Sequence, residues 1–272
     1  MLLKCSKETA ESLEKGRRHK FNKNENIMGL ILKQTLEEEK YLEVKMPYGP
    51  LQSDLPFLQA FNKTQKSANH HLDLSLYPEP FAGNPKAKVY LLSGNPGWSD
   101  SDNRLMTTNH PDWDKMMQHS YNPIPGLGHP QTMYWLDPYW KGLIKPVSGY
   151  HGGFTWWEKR TKQLSHIPNL EEKLFNIDYH SYHSKNIKIN SIINSLPSKK
   201  YVDEIIKVAF KDDDRLFVIL RCRKAWEDRL KSILGVSTLP SNVIYLKNPR
   251  CAYLTSGNMK PCDWSRFLAA LK

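Results

Sequence analysis

Two Asn-Pro pairs are the residues best suited to chemistry: Asn95-Pro96, after the apolar run Val89-Tyr90-Leu91-Leu92, and Asn248-Pro249, after Val243-Ile244-Tyr245-Leu246. The first sits in Ser93-Gly94-Asn95-Pro96-Gly97, where turn residues stop a strand-forming run abruptly. In an open α/β sheet the loop at the carboxyl end of a central strand borders the ligand crevice. Asn95, held rigid by Pro96 between two glycines, is therefore placed to orient or hydrogen-bond a substrate. The competing reading is a tight strand-to-helix connection in which Asn and Pro serve turn geometry.

Other polar candidates gather later in the chain. In Leu174-Phe175-Asn176-Ile177-Asp178, Asn176 and Asp178 lie two apart and share one face of a strand. A strand buried on both sides should be apolar there, so the pair either lines a site or marks a wet-faced edge strand. His180 and His183 lack a third ligand nearby and suit phosphate or base hydrogen bonds rather than a metal. His70 and His71 read as exposed loop residues. Lys185, His183 and Arg223 are candidate phosphate contacts, with a solvated surface charge as the alternative for each.

The elements that must position these residues alternate. Strands are expected at 89–92, 173–179, 215–221 and 242–246. Helices are expected at 53–61, from Pro111, from Thr155, at 187–195, at 198–210, from Lys224 and from near Asp263. Tyr77 to Pro85 reads as a rigid, extended lead-in to the first strand. This order predicts an α/β protein, a three-layer α/β/α sandwich around a four-stranded, mainly parallel sheet. Residues 1–74 read as a basic and helical N-terminal extension, with a helix over 27–42, and 75–272 as the α/β domain. Residues 121–153 interleave many Pro and Gly with Tyr121, Tyr134, Trp135, Tyr139, Trp140 and Tyr150, the pattern of a long functional loop serving as pocket wall or nucleic-acid surface.

Composition narrows the partner. The 39 Lys and Arg exceed the 28 Asp and Glu by eleven, which favours a polyanion. Eight Trp and thirteen Tyr supply rings on which bases can stack. The four cysteines form no CxxC pair, so reduced thiols are expected and no structural zinc or iron–sulfur site. With no apolar run of membrane-spanning length and no signal-peptide pattern, a cytoplasmic monomer without membrane contact is expected.

Order and strand context of the two Asn-Pro turns resemble the catalytic motifs of the uracil-DNA glycosylase superfamily. Ser93-Gly94-Asn95-Pro96-Gly97 is similar to the Gly-Ile-Asn-Pro-Gly motif of its mismatch-specific and thymine-type branch. Asn248-Pro249-Arg250 through Ser256-Gly257-Asn258 resembles the minor-groove loop, with Arg250 where Ser is usual. The resemblance spans roughly residues 75–270 and implies a DNA partner, no cofactor, no metal and an extruded base. By it, Asn95 would hold a water beneath the sugar C1′, and Asn248 or nearby N–H groups would stabilise the departing base. Gly94 and Pro96 would wall the pocket, Asn176 or Asp178 would read the pyrimidine, and Trp98 or Tyr121 would stack on it. Arg250, Tyr253 or Leu254 would fill the gap in the duplex, with Ser256 on the same DNA-facing loop. The substrate class implied is uracil or a modified cytosine, the latter in antiviral defence against phage DNA. Repair of uracil or mismatched thymine and a catalytically silent DNA-binding module are the alternatives.

Overall fold

The computed structural model describes residues 50–76, 78–98, 111–121, 127–148 and 152–272. The basic arm, the helix expected over 27–42, Tyr77, Tyr150 and the Tyr121 side chain lie outside the described residues. Five short strands form one mixed sheet: β1 (Phe81–Gly83), β2 (Val89–Leu92), β3 (Leu174–Ile177), β4 (Leu216–Ile219) and β5 (Val243–Tyr245). Their order is β1-β3-β2-β4-β5, with β1 antiparallel and the others parallel.

The expected four strands thus become five. The extended Pro-rich lead-in supplies β1, which pairs Ala82 with Asn176. Every residue of β2, β3 and β4 is buried, so both faces of the sheet are covered, as successive side chains point to opposite faces. Tyr90 is in register with Phe175 and Phe217 and meets their rings at 4.9 and 5.2 Å. From β2 the chain moves to β3 on one side, then crosses to β4 on the other. That reversal opens a crevice at the carboxyl ends of these strands.

Among the described residues eight α-helices accompany the sheet: α1 (Leu55–Thr64), α2 (Pro111–Tyr121), α3 (Pro138–Ser148), α4 (Gly152–Thr161), α5 (Ser191–Asn194), α6 (Lys199–Ala209), α7 (Arg223–Leu234) and α8 (Pro261–Ala270). Helix α1 buries Leu58 and Phe61 in the common core. Asp54, just before it, accepts from Tyr182 Oη at 2.7 Å and from Ser198 N at 3.0 Å. Residues 50–74 therefore pack with the α/β elements rather than apart from them.

The stretch read as one long loop contains α3. Pro138 suits the first helical turn, and Asp137 Oδ1 accepts from Tyr139 N at 2.8 Å, a side-chain cap at the helix start. Helix α4 starts three residues before Thr155, and the helix expected over 187–195 shortens to α5, capped by Asn190 accepting from Ile193 N at 3.0 Å. No helix among the described residues is long and apolar enough to cross a membrane.

Candidate active site

A cavity of about 400 Å³ opens in the crevice at the strand ends. The Ser93–Trp98 loop forms one wall. It is held from two directions: Tyr179 N donates to Gly94 O at 2.9 Å, and Trp226 Nε1 of α7 donates to Ser93 O at 2.6 Å. Gly94 is needed for this closeness, because a Cβ there would stand 2.9 Å from Ile187 Cδ1 and 3.3 Å from Cys222 Sγ. Asn95, half-buried, donates through Nδ2 to Pro96 O at 2.8 Å, Ser184 Oγ at 3.0 Å and Ser184 O at 3.2 Å. Trp98 and Pro96 line the same wall, and Trp98 Nε1 donates to Asp73 Oδ2 at 2.6 Å.

The cavity floor carries a directed chain of polar groups. Ser93 Oγ donates to Asn176 Oδ1 at 2.5 Å, and Asn176 Nδ2 donates to Asp178 Oδ2 at 3.0 Å. Both residues are buried and line the cavity. The edge-strand alternative fails because β1 covers that side of β3. Burial pushes the Asp178 carboxyl well above the usual carboxylate range, the Glu79 charge adds to this, and the Asn176 hydrogen bond opposes it.

Glu79 was not among the sequence candidates. It is buried, lines the cavity, accepts from Tyr134 Oη and lies 3.5 Å from His183 Nε2. An acid between two prolines, Pro78 and Pro80, in a lead-in to a strand was the available signal. Tyr134 and Trp135 of the Tyr- and Trp-rich stretch line the cavity, joined by Trp156 and Trp157 of α4, which that stretch did not include. Trp135 packs on the backbone of α4, where a Cβ at Gly153 would meet its ring at 2.6 Å.

Two histidines need correction. His183 is buried, its Nδ1 2.6 Å from Gly97 O, so it faces the cavity and not a surface phosphate. His180 is buried away from the lining, and its Nδ1 accepts from Tyr182 N at 3.3 Å. Burial, with Lys199, His183 and Arg229 nearby, lowers its pKa to about 3, which keeps the ring neutral. Neither is available to a DNA backbone. No group of three or more His, Cys, Asp or Glu among the described residues is placed to hold a metal.

The second Asn-Pro loop stands at the rim. Asn248 is exposed and outside the cavity lining, its Nδ2 3.4 Å from Cys251 Sγ and its Oδ1 accepting from Arg250 N at 3.1 Å. The loop is joined to the cavity wall by two cations that the sequence reading passed over. Arg221, which lines the cavity, donates to Arg250 O at 3.3 Å. Arg160 lies over Trp156 at 4.3 Å and over Tyr253 at 5.1 Å. Tyr253, Arg250 and Ser256 are exposed, whereas Leu254 is fully buried and cannot enter a duplex. Lys185 is exposed at the mouth, its Nζ 4.5 Å from the Trp98 ring. Arg223 is turned to Glu227 at 2.9 Å and to the Tyr245 ring, apart from the cavity.

These parts can accept a flat, polar molecule between indoles, orient it by an amide and carboxyl chain, and meet an anionic extension at a basic rim. No protein-family model matches this sequence, and no curated protein matches it.

Proposed function

We propose that this protein is a DNA glycosylase that hydrolyses the N-glycosidic bond of an extruded pyrimidine, uracil or a modified cytosine, on a three-layer α/β/α sandwich of the uracil-DNA glycosylase type. The observation that carries the reading is one cavity that joins Asn95 of the first Asn-Pro loop to the Asn176–Asp178 pair, beneath a rim of Lys185 and Arg221.

Asn95 Nδ2 is committed to Pro96 and Ser184, so Oδ1 is the acceptor left to hold a water against C1′. An amide is no strong base. Its contribution is position: a water already aligned as positive charge develops at C1′. Asn248 stands outside the cavity, so the hydrogen bonds that stabilise the departing base come instead from groups lining it, Arg221 and the Asp178 carboxyl. Indole rings at Trp98, Trp135 and Trp156 replace the stacking lost on extrusion, roughly 1–3 kcal/mol per base.

Mass spectrometry of free bases released from uracil-containing, G·T-mismatched and modified-cytosine phage DNA tests the proposal. Release of uracil or of the modified cytosine, lost in Asn95→Ala while DNA is still bound, supports it, and release of thymine alone replaces it with mismatch repair. Release from the phage DNA alone places the enzyme in defence, and release of uracil places it in repair. DNA binding with no release from any substrate overturns the enzyme and leaves a binding module.

A further inference from the structure

Two carboxyl groups, not one, meet in the cavity, and they differ in their surroundings. Glu79 Oε1 accepts from Tyr134 Oη, and its Oε2 lies 3.5 Å from His183 Nε2. Asp178 stands at the end of the Ser93-to-Asn176 chain. Because Asn176 Nδ2 donates to Oδ2, that oxygen is committed as the acceptor, and a proton on the group belongs on Oδ1. Like-charged carboxyls in one low-dielectric site do not both ionise readily, and here the burden falls on the buried Asp178.

We infer that Asp178 serves as a neutral carboxylic acid whose Oδ1–H donates to an unprotonated ring nitrogen while its Oδ2 and Glu79 accept from an adjacent amino group, selecting bases with a cytosine-type 4-amino edge. This deepens the proposed function and rests on its placing of a base in the cavity. A 4-amino edge offers two N–H donors beside an acceptor nitrogen, which matches two acceptors and one donor. A uracil-type edge would set its O4 lone pairs against Glu79 and leave only N3–H to donate. Buried polar groups left unpaired in this way discriminate strongly.

The charged and titratable groups that share the cavity with Asp178 are Glu79, Tyr134, His183, Lys185 and Arg221, and Cys222 lies close enough to feel its charge. Burial pushes the Cys222 thiol up to about 11, so it stays neutral through the neutral range. A rise in pH through the elevated Asp178 pKa removes the donor. Binding of the amino base must then fall.

NMR titration of the full chain with free cytosine and free uracil across a pH series, beside excision assays on oligonucleotides carrying each base, tests this. Cytosine is expected to bind roughly tenfold tighter than uracil, and to weaken as pH rises. Asp178→Asn, whose amide keeps a donor and an acceptor, is expected to bind several-fold more weakly but without the pH dependence. Asp178→Ala should lose the preference, and Glu79→Gln should narrow it. Equal or tighter binding of uracil, or a pH dependence that survives in Asp178→Asn, overturns the inference. A cytosine preference with no base released defeats the glycosylase reading and leaves this one standing. Uracil preferred and released does the reverse.

Discussion

Asn95 is a half-buried amide whose Nδ2 ties its own loop, through Pro96 O, to Ser184 of the segment after β3, which leaves Oδ1 as its acceptor toward the cavity. Replacement by Ala should slow base release by about a hundredfold or more, the scale of losing one preorganised polar group, while DNA affinity changes little. Single-turnover release and anisotropy binding on the same preparations check both halves. His180 makes a second residue-level prediction. Its folded pKa of about 3 lies below the unfolded value near 6.5, so the unfolded chain takes up the proton first. The stability that neutral His180 allows is present above pH 6.5 and is lost as pH falls toward 3. Between pH 6.5 and 5 the loss approaches about 2 kcal/mol, and His180→Phe should flatten it in urea unfolding curves.

At the scale of elements, β1 matters more than its three residues suggest. It covers β3 on the side opposite β2 and supplies Phe81 and Ala82 to the cavity. Gly83 ends it at φ +119°, and a Cβ there would stand 2.3 Å from Leu174 O. Gly83→Ala is expected to cost about 2 kcal/mol or more through strain and backbone displacement, and to weaken the site with it. Thermal melting alongside base release measures the two together. The second Asn-Pro loop is anchored comparably by Arg160, between Trp156 and Tyr253, and by Leu254 N donating to Arg160 O at 2.9 Å.

At the scale of the molecule, the net charge of +11 includes Lys185 and Arg221 in the cavity lining, Arg250 on the loop beside it and Arg160 against that loop's Tyr253. If four phosphates of a single strand meet these cations, log affinity should fall with log salt at a slope near about −3. Arg250→Gln, a change outside the cavity, should lower that slope by about 0.7 and affect all sequences alike. Anisotropy titrations across a salt series decide it, and a flat salt response would remove the rim from the DNA interface.

The sequence by itself determined the parts whose signal is local. Wholly apolar runs marked β2, β4 and β5, because strands covered on both faces need apolar side chains at every position. Period two placed Asn176 and Asp178 on one face, and turn residues put Asn95 at a strand end. Tertiary structure decided what those faces meet. It turned His183 into the cavity against Gly97 and Glu79, brought Glu79 to Asp178 across about a hundred residues of chain, set Asn248 outside the cavity, and delivered Arg160 and Arg221 to the rim. Periodicity reports which way a side chain points. Whether a polar group is buried, paired or facing a like charge depends on distant segments, and only their packing supplies them.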